Sequence, residues 1–424
     1  MQIAELTAYH ARIPLKKTIR HASFTRTYNE TLIVRCRLDD GSVGWGEGLP
    51  RPYVTGETIE TAFAQLRGID LAGQLGGEFD DLHTAAALCG GLQLEAPPGQ
   101  RADRFGNSVR AALELSLLDA ATRAMELPFS AAVECVPETE PIRESRPAVQ
   151  YGVVLTGGSP LAETIGAIKY RLYGFRDCKV KVGVEGQVDA ESLVRIRRFL
   201  PAGKVDIRAD ANEAWNIDNL EKKLVALRGF DLSAIEQPVP DAQTPGLAAL
   251  RPNLGIPIML DESLCSIDDA RRAVDSGTCD LFNIRISKCG GFLNSLRIAA
   301  IAHNAGLGYQ LGCLVGETGI LSAAGRHFAT SIAGIRSLEG SYDRHLVREP
   351  LTMEDLTFGY AGRAERLSGH GLGVTVNESA LEQVAIAQEQ WMIGGRRAPV
   401  PTGATTGALP NSVSQASDST GIDL

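Results

Sequence analysis

The chain has 424 residues and, with 42 Lys and Arg against 51 Asp and Glu, a formal net charge of −9 at pH 7. Such a length admits two or three domains of roughly 150 residues, or one large barrel or sheet domain; 44% apolar and 22% charged residues support a sizeable core and exclude disorder for most of the chain. The acidic balance argues against nucleic acid as a partner, and no run approaches the roughly 20 apolar residues of a membrane helix, so the expectation is a cytoplasmic protein with no membrane partner.

The first fifty residues alternate with period two through IAELTAYHARI and TLIVRCRL, turn at Asp39–Gly41 and continue as SVGWGEG, the signature of paired antiparallel strands. From Glu57 to about Arg123 the pattern is helical, so residues 1–130 are expected to form a small α+β unit. After Pro147 short β-branched runs begin at Val149, Cys178, Val205, Leu232, Ile256, Leu281 and Gly308, spaced by about 24 to 29 residues. Each interval accommodates one strand, one amphipathic helix such as DAESLVRIRRFL, and two loops. With a weaker eighth strand at Ile335–Glu339, residues 145–345 predict a (β/α) barrel. A doubly wound open sheet is the rival, and it lacks the glycine fingerprint expected after its first strand. Beyond Thr352 the stretch ESALEQVAIAQEQW predicts another helix, and from Gly394 a Gly-, Pro-, Ser- and Thr-rich tail predicts disorder over 394–424. The eight cysteines are scattered, with no CxxC pair, and read as small apolar fillers.

A barrel of this kind places its active site at the carboxyl ends of the strands. Lys179 and Lys181 share one face of one strand; Asp210 and Asn212 repeat that spacing on the next; Glu236, Asp261 with Glu262, and Lys288 end the three that follow. Three carboxylates from successive strands converge, and oxygen donors on rigid, separate elements suit Mg²⁺. A lysine on a central strand is costly unless it faces a functional cavity, and lysines crowded beside a metal are expected to have lowered pKa values and to act as bases. Lys181 and Lys288, from opposite sides, could take the α-proton of a carboxylate substrate from one face and return it to the other, with the resulting enediolate balanced by the cation.

The motifs KVK (Lys179–Lys181), DAN (Asp210–Asn212), EQP (Glu236–Pro238), DES (Asp261–Ser263) and KCGG (Lys288–Gly291) resemble, in this order and spacing, the enolase superfamily and within it the muconate-lactonising-enzyme-like group. The resemblance covers about residues 1–390. It implies an N-terminal α+β capping domain, a (β/α)7β TIM-like barrel, a C-terminal segment (346–393) returning to the cap, and a homo-oligomer. It implies Mg²⁺, with Mn²⁺ as a substitute, on Asp210, Glu236 and Asp261, Lys181 and Lys288 as the acid/base pair, and Lys179 as electrostatic support. Substrate contacts are expected from the cap loops Ile19–Thr25 and Leu49–Thr58, with Arg51 and Tyr53, and from Asn212, Glu317 and Glu339. Glu317 resembles a carboxylate of the cycloisomerases and could instead hydrogen-bond Lys288. Dipeptide epimerases of the group carry an Asp-x-Asp pair on the eighth strand, where this chain has Glu339 and Ser341. Cycloisomerisation of a carboxylate leads. Racemisation of an N-acylated amino acid, dipeptide epimerisation and a lyase reaction (dehydration or o-succinylbenzoate formation) use the same residues, and a non-catalytic barrel binding a small acid is the reading from a different class.

Overall fold

The computed structural model describes residues 1–21, 24–156 and 158–394, without the side chains of residues 19–25. The cap loop expected around Ile19–Thr25 and the tail expected to be disordered therefore fall wholly or partly outside the described residues.

The alternating N-terminus forms β1 (Ile3–His21) and β2 (Phe24–Leu38), which pair antiparallel, and β3 (Val43–Gly48) adds to β2. On β3 the alternation is between glycine and larger residues, for a steric reason. A Cβ on Gly44, Gly46 or Gly48 would stand 2.1, 2.0 or 1.9 Å from backbone atoms of Ala120, Ala112 or Ser108. The helix Asn107–Ala124 thus lies directly on the strand backbone and is buried almost all round. The intervening Trp45 and Glu47 point the other way: Trp45 packs near Tyr9, and Glu47 reaches the barrel.

The β-branched runs after Pro147 become β4 (Ala148–Gln150), β5 (Val153–Leu155), β6 (Asp177–Lys181), β7 (Asp206–Asp210), β8 (Leu232–Glu236), β9 (Ile258–Leu260), β10 (Leu281–Ile284), β11 (Gly308–Leu311) and β12 (Ile335–Leu338). Among the described residues β5 to β12 form one eight-stranded parallel sheet in sequential order, and the Gly152 N–H donates to the Leu338 carbonyl at 2.8 Å, joining last strand to first. This is the (β/α)7β barrel, with the α+β cap formed by the N-terminal segment. The run VQYGVVL, expected as one strand, breaks at Gly152 into β4 and β5, because β4 pairs antiparallel with β13 (Arg363–Glu365) outside the barrel.

A second difference concerns ESALEQVAIAQEQW. It is helical only over Glu378–Val384 and continues as β14 (Ala385–Met392), antiparallel to β1 from Glu5↔Met392 to Ala11↔Ala385. The open edge of β1 offers a row of backbone donors and acceptors, and pairing with them outweighs the helix propensity of Ala, Glu and Gln. Residues 385–392 thereby become the edge strand of the N-terminal sheet. Among the described residues no helix is long and apolar enough to cross a membrane, and the eight cysteines are free.

Candidate active site

Register places the chemistry at one level. Lys181 on β6 stands opposite Asp210 on β7, and Asp210 opposite Glu236 on β8. Val180 and Val182 are buried on the helix side, so period two turns Lys179 and Lys181 inward. Asp210, Glu236 and Asp261 are fully buried at the strand ends. The backbone there is bent into unusual shapes: Asn212, Glu213, Gln237 and Ser341 take positive φ of 41°, 64°, 37° and 51°. Non-glycine residues of this kind cost about 1–3 kcal/mol each and collect where function needs a fixed aim.

The Lys179 ammonium lies 3.4 Å from Asp210, 3.2 Å from Glu236 and 2.9 Å from Glu339. Lys181 donates to Asp210 Oδ2 at 2.6 Å and to Asn212 Oδ1, and Asn212 Nδ2 donates to Glu262 Oε1 at 3.1 Å. Across the barrel, Lys288 donates to the Asp261 carbonyl, Asp261 Oδ1 and the Asn283 carbonyl at 2.6, 2.8 and 2.9 Å. It makes no hydrogen bond to Glu317, whose Oε1 instead accepts the Leu314 N–H at 2.6 Å.

Burial and charge pull the ionisations in opposite directions. Burial would raise Asp210, but Lys181 and Lys179 hold it well below the carboxylate range. Burial and the Asp210 charge push Glu236 up, against the pull of Lys179. Burial and then Asp261 raise Glu262 to about 8, and burial raises Glu317 to about 8. Despite its burial, Lys179 and Arg208 hold Glu339 at about 2. Lowered lysine pKa values were the expectation; the structure reverses it for two of the three. Burial alone would lower Lys179 and Lys288, but the carboxylates around Lys179, and Asp261 beside Lys288, raise both.

The expected substrate contacts divide. Asn212 and Glu317 lie at the barrel mouth. Tyr53 is 37% exposed and its hydroxyl accepts from Arg26 at 3.4 Å. Arg51 is buried, and its guanidinium donates to the Glu30, Pro50 and Val315 carbonyls and to Asn29 Oδ1, a clamp between cap and barrel. Glu339 is engaged by Lys179 and Arg208, while Ser341 donates to the Tyr151 hydroxyl at 2.9 Å and accepts from Arg326 at 2.9 Å.

Two buried cations went unnoticed in the sequence. Arg208 sits two residues before Asp210 on the same face of β7, so alternation could have found it; it binds Asp177, Ser337 and Glu339. Arg285 follows β10, donates to Asp261 Oδ2 and stands 3.7 Å from Glu236 Oε1. Asn283, on β10, donates to Glu236 Oε1 at 2.9 Å.

Among the described residues no three acidic, His or Cys side chains are already spaced around a cation, because ammonium and guanidinium groups separate them. The donor set nevertheless fits a hard divalent ion. Three buried carboxylates come from successive strands, and Glu236 Oε2 and Glu262 Oε2 are buried without a hydrogen-bond partner.

Fold and site together define a capped (β/α)7β barrel whose mouth sets three carboxylates between lysines from opposite strands. The family model described as "Enolase C-terminal domain-like" matches residues 164–380. The chain is 32% identical over 380 residues to an L-Lys-D/L-Arg epimerase of Methylococcus capsulatus, covering 88% of this chain and 99% of that protein. It therefore belongs to the enolase superfamily, in the muconate-lactonising-enzyme-like family. Its fold matches the crystal structure of N-succinyl Arg/Lys racemase from Bacillus cereus, with a TM-score of 0.80 at 24% identity over 92% of this chain and 100% of that one. It also matches a dipeptide epimerase from Cytophaga hutchinsonii complexed with Mg and D-Ala-L-Val, with a TM-score of 0.78 at 24% identity over 92% and 100%. At the family level the function is that of an isomerase or lyase, and members of the superfamily are magnesium-dependent.

Proposed function

We propose that the protein is a racemase or epimerase that transfers the α-proton of an N-acylated amino acid, with Mg²⁺ held by Asp210, Glu236 and Asp261. The observation that carries this reading is the placement of Lys181 and Lys288. They extend from β6 and from the turn after β10, four places apart in a ring of eight, with the three carboxylate-bearing strands between them. A bound Mg²⁺, or Mn²⁺ in its place, supplies the positive charge that offsets negative charge developing on the substrate carboxylate as its α-proton leaves. Asp210 and Asn212 aim the Lys181 Nζ; Asp261 and the Asn283 carbonyl aim that of Lys288. One Nζ takes the proton and the other returns one to the opposite face. Asp261 favours the charged form of Lys288, the form that returns a proton when Lys181 has taken one, and the two lysines exchange roles for the other enantiomer. Lys179, enclosed by three carboxylates, contributes charge and not a mobile proton.

The eighth strand supports an acyl group without a free ammonium there. Glu339 is already neutralised by two cations and Ser341 is bonded to Tyr151 and Arg326. A second reading, cycloisomerisation or a lyase step with one working lysine, is favoured by the complete burial of Lys288 and its three acceptors.

Incubating N-succinyl amino acids and dipeptides with the protein in D₂O and Mg²⁺ tests the reading. The expected result is α-deuterium entering both enantiomers of at least one N-acylated acid, abolished by chelator and restored by Mg²⁺. Exchange that survives complete metal removal would overturn the carboxylate assignment, and exchange of only one enantiomer would favour the one-lysine chemistry.

A further inference from the structure

The mechanism above leaves one buried charge at the site without work. Arg285 is a cation with an 11% exposed side chain, set among the carboxylates proposed to hold the metal. Its Nη2 donates to Asp261 Oδ2 and lies 3.7 Å from Glu236 Oε1. Its Nε is buried without a hydrogen-bond partner, as are Glu236 Oε2 and Glu262 Oε2.

The other cations of the site are anchored more broadly. Lys288 also bonds two backbone carbonyls, Lys181 also bonds Asn212, and Arg208 also bonds Asp177 and Ser337. Among the described residues the one hydrogen bond from the Arg285 side chain goes to Asp261. It is therefore held by the charge of Asp261 and Glu236 and not by a hydrogen-bond network. Charge balance gives it a reason to be there. Asp210, Glu236 and Asp261 are fully buried acids, and the Arg285 guanidinium stands within 3.7 Å of two of them, Asp261 and Glu236. A dication held by these carboxylates would supply the charge that Arg285 supplies without it, and would repel the guanidinium at short range.

We infer that Arg285 is a resident counter-cation: its guanidinium holds Asp261 and Glu236 together in the metal-free protein and must leave Asp261 when the divalent ion binds. This rests on the metal reading proposed above.

The consequence is a pair of opposite effects from one substitution. Competition with the metal means that removing the guanidinium tightens metal binding; its bridging role means that removal weakens the metal-free fold. The test is Mn²⁺ titration of metal-stripped protein, with free Mn²⁺ read by electron paramagnetic resonance, alongside thermal unfolding with and without Mn²⁺. Arg285→Met is expected to bind Mn²⁺ at least tenfold tighter than the wild type. Its metal-free form is expected to melt lower than the wild type, while the Mn²⁺-saturated proteins melt alike. Arg285→Lys, which keeps the charge but not the planar fork, is expected to fall between them and to serve if the Met variant does not fold. Affinity that is unchanged or weaker in the variants overturns the inference and leaves the metal reading standing. Failure of the wild type to bind Mn²⁺ overturns the metal reading, and the inference with it.

Discussion

Lys179 and Lys181 are two residues apart on one strand, and their surroundings separate their roles. Lys179 is buried with three carboxylates within 3.4 Å, so its ammonium is fixed; Lys181 keeps a 22% exposed side chain and two partners, so its Nζ faces the mouth. Lys288 faces it from the other side. Lys181→Ala and Lys288→Ala are therefore expected each to lower α-proton exchange by about 10²–10⁴-fold for one enantiomer and to spare the other. Deuterium wash-in on separate enantiomers, followed by proton NMR, reads this directly. Loss of both enantiomers in one variant, with weakened turnover in the other, would instead indicate one mobile lysine. Wild-type exchange in both variants would contradict the acid/base assignment.

At the scale of elements, close approach of backbones decides which substitutions the cap tolerates. The three glycines of β3 let the helix Asn107–Ala124 rest on the strand, and the two of KCGG serve the same helix. A Cβ on Gly290 would meet Asn107 at 2.8 Å, and one on Gly291 would meet Glu114 at 2.4 Å. That contact matters to the site, because Asn107 Nδ2 donates to the Lys288 carbonyl at 2.7 Å. Gly46→Ala is expected to cost about 1–3 kcal/mol or more, since its methyl would collide with a backbone carbonyl that cannot move without shifting the helix. Gly68→Ala, at a helix end with nothing within 4 Å, is the control and should be neutral or slightly stabilising. Urea unfolding of the two variants separates packing from a general intolerance of alanine.

At the scale of the whole molecule, cap and barrel are joined by buried carboxylates that meet barrel helices at their N-termini. Glu47 accepts from the Thr318 N–H and hydroxyl and the Leu321 N–H, and Glu114 accepts from the Leu293 N–H. Burial raises both from an ordinary 4.5 to about 7, the donated hydrogen bonds pulling the other way. A folded carboxyl that keeps its proton to about pH 7 while the unfolded one loses it near 4.5 makes the folded state bind more protons between those values. Its stability contribution therefore falls as pH rises through that window and is flat above it. In Glu47→Gln this dependence is absent, so the wild-type stability relative to the variant should decline by about 3 kcal/mol from pH 4.5 to 7. Denaturant titrations at several pH values measure it; a constant difference would show that the donated hydrogen bonds offset burial and leave Glu47 at its ordinary pKa.

The sequence by itself determined the barrel and the candidate metal and lysine residues. Each barrel unit announces itself locally, through β-branched runs recurring at nearly constant spacing; KVK, DAN and EQP close strands, DES directly follows one and KCGG sits in the turn after another, so fold and site share one periodicity. The tertiary structure decided the rest. Arg51 and Tyr53 occupy one loop, but Arg51 is committed to a backbone carbonyl 264 positions away, at Val315. Glu339 binds Lys179 and Arg208, 160 and 131 positions earlier. Residues 385–392 favour a helix by composition and become a strand because the edge of β1 is there to receive them. Such outcomes depend on which groups meet in a low-dielectric interior, where a buried charge takes whatever partner the fold brings within reach, and that choice leaves no mark on the local pattern of residues.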